Sequence, residues 1–260
     1  MNLPVEVIEA VKQDRCVLFV GNRASLEAAE ESGASYPDQR ALAKELGWKK
    51  PPIAAGKAKG AVPSVEEAAA ATERASGRAA LVARLTEMLA VSKGSTAHAN
   101  LVRRFPLVFT TNYDDLIEKA GAAAGIAVDV LGRQSPLPAR EKGRCALYHL
   151  RGEFSRPDTM MVTAADYAQK PLGAELKKQL RLLIRQQVVL FVGFRPDEEE
   201  FERLFAELSD AYGGELPRCH LAVAQGPIDD FLWQKWVWRG LLMFTADPIE
   251  CMSELEANLR

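Results

Sequence analysis

The side chains best suited to chemistry fall in four short polar segments, each directly behind an apolar run. Gly21-Asn22-Arg23-Ala24-Ser25 follows Cys16–Val20, and Thr111-Asn112-Tyr113-Asp114-Asp115 follows Pro106–Thr110. Arg151-Gly152-Glu153 follows Cys145–Leu150, and Gly193-Phe194-Arg195-Pro196-Asp197 follows Val188–Val192. Asparagine, serine and threonine both donate and accept hydrogen bonds, aspartate only accepts, and arginine offers a planar fork of donors. Glycine lets a backbone come close to a phosphate. Together the four segments suit a ligand made of phosphates and riboses. Singly, each has a plainer explanation: Gly21 as a strand-to-helix turn, Asp114 as a cap or dipole partner at a helix start.

The three histidines differ in promise. His98 falls on an expected helix after Thr96, and His220 opens an expected strand, so both read as packing residues. His149 stands two residues before Arg151. On a strand, positions i and i+2 share a face, so one reading puts His149 on the side of Arg151, about 7 Å deeper, where a small register change makes it a substitute base; the more common arrangement is a partly buried strand histidine with a backbone partner.

The elements that must position these segments alternate. Strands are expected at Cys16–Val20, Pro106–Thr110, Ala127–Leu131, Cys145–Leu150, Thr159–Val162, Val188–Val192, Cys219–Ala224 and Leu241–Thr245. Helices are expected around Asp38–Leu46, from Ser64, and at Arg78–Leu89, Thr96–Arg104, Asp114–Ala124, Pro171–Gln186, Asp197–Tyr212, Ile228–Trp238 and Pro248–Leu259. Ser64 with Glu67, Thr163 with Asp166, and Asp197 with Glu200 have the spacing of a capping box. Strands separated by helices imply an α/β fold with a Rossmann-like, doubly wound parallel sheet. Residues 1–260 read as a single domain with a small helical insertion at roughly 50–104. Its approach, 49–63, holds Pro51, Pro52, Gly56, Gly60 and Pro63 and reads as a linker or loop. In such sheets ligands bind beyond the carboxyl ends of the strands, so the four polar segments should meet in one crevice.

The ordered set of Val17–Ser25, Thr110-Thr111-Asn112-Tyr113-Asp114-Asp115, Leu150-Arg151-Gly152, the Tyr167 region and Phe191-Val192-Gly193-Phe194 resembles the motifs of the sirtuin-like (Sir2-like) family, in its prokaryotic antiviral-defence branch. The T-T-N-Y-D block is the most distinctive part, and His220–Gly240 resembles the family's last strand and helix. The resemblance implies a core that binds NAD, with cleavage to nicotinamide and ADP-ribose in defence members. It implies Gly21, Arg23, Ser25, Thr111, Asn112, Asp114, Arg151 and Gly193 as cofactor-binding positions. Asn112 would contact the nicotinamide-side ribose or position water, and Asp114 would support it.

Two positions depart from the pattern. Arg23 replaces the second glycine of the first loop, where it either blocks the pyrophosphate or binds it with paired N–H groups. Arg151 replaces the histidine of the family's L-H-G motif. An imidazole titrates near neutrality and can accept a proton; a guanidinium stays charged and cannot. The resulting reading is a catalytically degenerate NAD-binding or scaffold subunit of a defence system. The alternative is an active NAD glycohydrolase using Asn112, Asp114 and a displaced His149. A separately encoded defence partner protein or a homo-oligomer fits either.

The remaining features mostly exclude. Cys16, Cys145, Cys219 and Cys251 show no C-x-x-C spacing, so they read as buried thiols, and neither zinc nor the four-cysteine lobe of the deacetylase branch is expected. The net charge of -2 gives no general attraction to nucleic acid, and Lys49, Lys50, Lys57 and Lys59 are too spread for a duplex-binding patch. No apolar run approaches a membrane span, and Met1–Arg15 lacks an apolar signal core, so the expected location is cytoplasmic. Trp233, Trp236 and Trp238 on one late helix read as core or subunit contact.

Overall fold

A computed structural model of the chain describes residues 3–33, 36–47, 64–90, 94–223 and 228–259. The segment expected to be a linker, its lysines and Ala224 lie outside the described residues.

Seven strands form one parallel sheet: β1 (Cys16–Val20), β2 (Leu107–Thr110), β3 (Ala127–Gly132), β4 (Arg144–His149), β5 (Val188–Val192), β6 (Cys219–Val223) and β7 (Leu241–Thr245). Their spatial order is β3-β4-β2-β1-β5-β6-β7. The chain builds outward from β1 on one side, then returns to lay β5 against its other side. That reversal puts a topological switch point between β1 and β5, where parallel α/β sheets open a crevice.

Twelve α-helices accompany the strands among the described residues. In chain order they are α1 (Val5–Lys12), α2 (Arg23–Ser32), α3 (Gln39–Glu45), α4 (Val65–Ser76), α5 (Arg78–Met88), α6 (Thr96–Arg104), α7 (Leu116–Ala124), α8 (Ala164–Gln169), α9 (Ala174–Gln186), α10 (Glu199–Tyr212), α11 (Asp230–Trp238) and α12 (Pro248–Asn258). None is long and apolar enough to cross a membrane. Alternation along the strands sorts the core into two layers. Val17 and Phe19 of β1 pack with α9, α10 and Trp236 of α11, whereas Cys16, Leu18 and Val20 pack with α1, α6 and α12. At one register the first layer carries an aromatic row across four strands, Tyr148, Phe109, Phe19 and Phe191. Successive ring centroids lie 4.9, 4.8 and 5.2 Å apart. The row makes a rigid floor just below the strand ends that carry the polar segments.

The helices between β1 and β2 pack into more than one core. Leu42 and Ala43 of α3, with Leu46 just after it, share a separate core with Ala68, Ala69, Leu81, Val82 and Leu85 of α4 and α5. α6, expected within the insertion, instead buries Ala97, Leu101 and Val102 in the sheet's own core. Its apolar face is the reason: a stripe at helical spacing is buried by the sheet-covering layer that α6 shares with α12.

Thr159–Val162, expected as a strand, is a 3-10 turn at Pro157–Thr159 followed by irregular chain. Met161 N–H donates to the Arg151 carbonyl at 2.8 Å, and Met160 and Val162 join the insertion's core instead of the sheet. The expected Asp197–Glu200 capping box is also absent: α10 begins at Glu199, the N-cap Glu198 makes no capping hydrogen bond, and Asp197 pairs with Arg195. The boxes at Ser64–Glu67 and Thr163–Asp166 are present. All four cysteines are buried free thiols. Trp236 is buried, whereas Trp238 on the same helix is exposed, so the tryptophans do not share one face.

Candidate functional site

A cavity of about 1430 Å³ lies over the carboxyl ends of β1, β2, β4 and β5, between the sheet and the helical insertion. Each of the four polar segments reaches it, through Arg23, Thr111 and Asn112, Arg151, and Arg195. The convergence expected from the sequence is therefore present, but the residues divide into those that line the cavity and those that support the lining.

Gly21 and Gly193 are supporting residues. A Cβ on Gly21 would meet the Gly193 carbonyl oxygen at 2.5 Å and the Phe194 ring at 2.6 Å. Gly193 has a φ of +78°, and its Cβ would meet the Gly21 carbonyl oxygen at 2.8 Å. The loops after β1 and β5 thus cross in contact, and hydrogen bonds from Gly21 N–H to the Val192 carbonyl (2.9 Å) and from Arg23 N–H to the Gly193 carbonyl (3.0 Å) fix the crossing.

Ser25 and Asp114 lie beneath the lining. Fully buried Ser25 donates through its Oγ to Asp114 Oδ2 at 2.7 Å and accepts from Asn112 Nδ2 at 2.8 Å. Asn112 Nδ2 also donates to the Gly21 carbonyl at 3.3 Å. A carbonyl can only accept, so this bond fixes which end of the amide is nitrogen. Asn112 Oδ1 is left buried without a partner, and so is Thr111 Oγ1. Both residues line the cavity. Unsatisfied buried polar atoms cost about 1–3 kcal/mol each, so a ligand with hydrogen-bonding groups suits this wall: Asn112 offers it an acceptor and Thr111 a hydroxyl. Burial raises the Asp114 pKa above the usual carboxylate range, against the lowering effects of Ser25 and the Leu116 N–H.

Arg151 faces the cavity, as Arg23 does. Arg151 is only 11% exposed, with Nη1 3.4 Å from Oε1 of the buried Glu200 and its guanidinium 5.4 Å from the centre of the Tyr167 ring. Burial works against its charge, but Glu200 and the flanking tyrosine hydroxyls more than offset this and hold its pKa above the ordinary value. Arg203 lies over the same Tyr167 ring at 4.4 Å and bonds Glu66 of α4 at 2.5 Å, tying α10 to the insertion across the cavity. The Arg23 Nε is buried without a hydrogen-bond partner.

His149 does not line the cavity. β4 ends at His149, so strand alternation stops there; the Leu150-Arg151-Gly152 turn carries Arg151 upward while the imidazole stays under α7. Gly152 makes this turn with φ +82°, close against the Thr159 backbone. The His149 Nδ1 lies 2.9 Å from the Asn112 carbonyl and Nε2 lies 3.0 Å from Glu118 Oε1. Burial alone would lower its pKa; the hydrogen bond and charge of Glu118, with the Asn112 carbonyl, raise it instead. His98 is buried as the partner of Ser95 in a capping box, and His220 as the partner of Glu6.

Sequence reasoning missed the carboxylates on the cavity wall. Glu200 meets Arg151, and the side chain of Glu198 faces the same space. Burial first, then the neighbouring Glu200, pushes the Glu198 pKa up to about 8. Their signal was present as the acidic run 197–200, which reads equally well as a helix start. Tyr36, whose hydroxyl donates to Asp114 Oδ2 at 3.4 Å, had no signal at all.

Comparisons with known proteins agree with this geometry. The SIR2-like domain family matches residues 106–238, just over half of the chain. The NAD(+) hydrolase ThsA of Acinetobacter baumannii is 30% identical over 136 residues, which are 51% of this chain and 28% of that protein. The match thus spans little more than a quarter of that relative's length. A solved Sir2 homologue in complex with NAD superposes with a TM-score of 0.55 at 12% identity, covering 100% of this chain and 94% of that one. At that identity the likeness is one of fold.

Proposed function

The chain belongs to the SIR2-like domain family, and from that premise we propose that it binds NAD, or a closely related nucleotide, in the cavity over β1, β2, β4 and β5 without the family's histidine base. It serves as the nucleotide-binding or scaffold subunit of a prokaryotic defence system, beside a separately encoded partner or a second copy of itself. The relatives support the ligand, since one is an NAD(+) hydrolase and one was solved with NAD. One observation carries the loss of the base: a guanidinium held by Glu200 occupies the position of the L-H-G histidine. His149 is turned away from the cavity with both ring nitrogens engaged, which disfavours an active glycohydrolase built on it. Loss of a positioned proton carrier typically costs about 10²–10⁴ in rate.

The test is a calorimetric titration with NAD run beside an assay for nicotinamide release. Binding without release is expected, and Asn112→Ala should weaken it several-fold to about tenfold by removing the acceptor, a change of about 1 kcal/mol. Release that Asn112→Ala abolishes would overturn the degenerate reading in favour of a glycohydrolase. Absence of both would remove the nucleotide and leave the scaffold. In the bound case, Arg151→His combined with Arg23→Gly and Glu200→Gln should restore cleavage.

A further inference from the structure

Outside the cavity, three metal-ligating side chains from separate elements converge below the sheet end. Glu118 comes from the first turn of α7, His149 is the last residue of β4, and Glu153 follows the Leu150-Arg151-Gly152 turn. One ligand atom from each lies within 4.8 Å of the others. We propose that Glu118, His149 and Glu153 form a binding site for a first-row divalent cation of the zinc class.

The imidazole is already set up as a ligand. The Asn112 carbonyl can only accept, so His149 Nδ1 carries the proton and donates to it. In the neutral ring Nε2 then presents a lone pair toward Glu118 Oε1 at 3.0 Å. A lone pair facing a carboxylate oxygen is repulsive unless a cation lies between them, either a proton on Nε2 or a metal ion. Metal-bound histidines commonly donate their other N–H to a backbone carbonyl in this way. Glu118 Oε2 is buried and has no hydrogen-bond partner, an orphaned acceptor on one of the three residues. Ser155 Oγ donates to Glu153 Oε2 at 2.7 Å, the kind of outer bond that orients a ligating carboxylate. Arg156, which bonds Glu153, has a half-exposed side chain and can move aside for a divalent ion.

One imidazole and two carboxylates suit zinc or its first-row neighbours and leave a coordination position open. Zinc held at about 2.0–2.2 Å by each ligand sets the three atoms roughly 3.3–3.6 Å from one another, so the 3.0 Å contact between His149 Nε2 and Glu118 Oε1 opens slightly on binding. The ion would also be linked to the cavity, because the same His149 ring holds the carbonyl of Asn112.

Titration of the full chain with Zn²⁺, by calorimetry and by competition with a chromogenic chelator, tests the site. One ion per chain is expected, with affinity reduced at least tenfold in Glu118→Gln and again in Glu153→Gln. Both substitutions keep the side-chain volume, and circular dichroism would verify that each variant folds. Co²⁺ should give the visible absorption of a low-symmetry nitrogen–oxygen site, without the intense near-ultraviolet band of thiolate ligation. Failure to bind Zn²⁺ at 10⁻⁴ M (roughly the weakest affinity worth calling a site), or binding left unchanged by both substitutions, would overturn the proposal. Neither outcome depends on whether the cavity binds NAD.

Discussion

Ser25→Ala isolates the piece of chemistry on which the cavity wall depends. Ser25 is fully buried between Asn112 and Asp114, donating to one and accepting from the other. Alanine fills nearly the same space, so the change removes two hydrogen bonds and little volume. Asn112 Nδ2 keeps only the longer bond to Gly21, at 3.3 Å. Asp114 Oδ2 keeps only the 3.4 Å contact from Tyr36. Leaving a buried partner unsatisfied costs about 1–3 kcal/mol, with the upper end for charged groups, so the variant should lose about 3 kcal/mol. For a chain of this size that is a fall in Tm of roughly 6–12 °C. The loss should also depend on pH. The Asp114 pKa is already raised by burial, and the serine bond opposes that rise, so removing it raises the folded pKa further. A carboxyl whose folded pKa lies above its unfolded value destabilises increasingly as pH rises from the unfolded towards the folded pKa. The deficit of Ser25→Ala against the wild type should therefore be largest at neutral pH and shrink as acid protonates Asp114 in both proteins. Urea denaturation at pH 7.5 and pH 5 measures it. A variant within 0.5 kcal/mol (about the scatter of neutral surface changes) at pH 7.5 would refute the claim that this network sets the wall.

Three further outcomes follow from the same contacts. Gly21→Ala puts a methyl 2.5 Å from a backbone oxygen that Gly193 cannot withdraw, and should cost about 1–3 kcal/mol or more in chemical denaturation. Glu27 is buried and its pKa is pushed up to about 8 by burial, with a smaller contribution from Asp247. The stability associated with its proton is present below the unfolded carboxylate pKa and lost as pH rises towards 8. Glu27→Gln, which keeps an acceptor for the Ile249 N–H, should thus match the wild type near pH 4.5 and exceed it by a few kcal/mol at pH 8 in paired thermal melts. Arg203→Ala removes both the bond to Glu66 and the stack on Tyr167; hydrogen exchange should quicken in α4 while β1 and β5 stay protected.

The sheet was legible because its strands are short apolar runs stopped by turn residues, a pattern that burial on both faces imposes. Cys16–Val20 and Val188–Val192 were bounded to the residue for that reason. Thr159–Val162 is similarly apolar, but Met160 and Val162 pack into the core shared by α3, α4 and α5, and periodicity cannot distinguish one apolar wall from another. Single positions were harder. Asn112 and Arg151 were visible as members of motifs next to strand ends. Their contacts were not, since Glu200 reaches Arg151, and Ser25 reaches Asn112, through long-range packing that no spacing encodes, as Tyr36 reaches Asp114. Of the two readings of His149, the structure shows the buried strand histidine with a backbone partner, because β4 ends there and the alternation towards Arg151 stops.

On the proposed reading, arginine at position 151 in place of the family's histidine changes the charge of the site as well as its proton carrier. A neutral imidazole can lie beside a tyrosine and a backbone turn at little electrostatic cost. A buried guanidinium needs an anion, because removing one member of a buried pair costs about 3–5 kcal/mol. Glu200, 7% exposed and 3.4 Å away, meets that need. On that reading the site is more than a sirtuin-like pocket with one part missing. Restoring histidine alone would place the new imidazole beside the buried Glu200 carboxylate, and a nearby opposite charge favours the protonated ring. A protonated ring cannot act as a base. For this reason the back-substitution carries Glu200→Gln, which removes the charge and keeps the shape. If Arg151→His with Arg23→Gly performed as well without Glu200→Gln, the Arg151–Glu200 contact would be incidental, and the cavity would be more tolerant of unpaired charge than its burial implies.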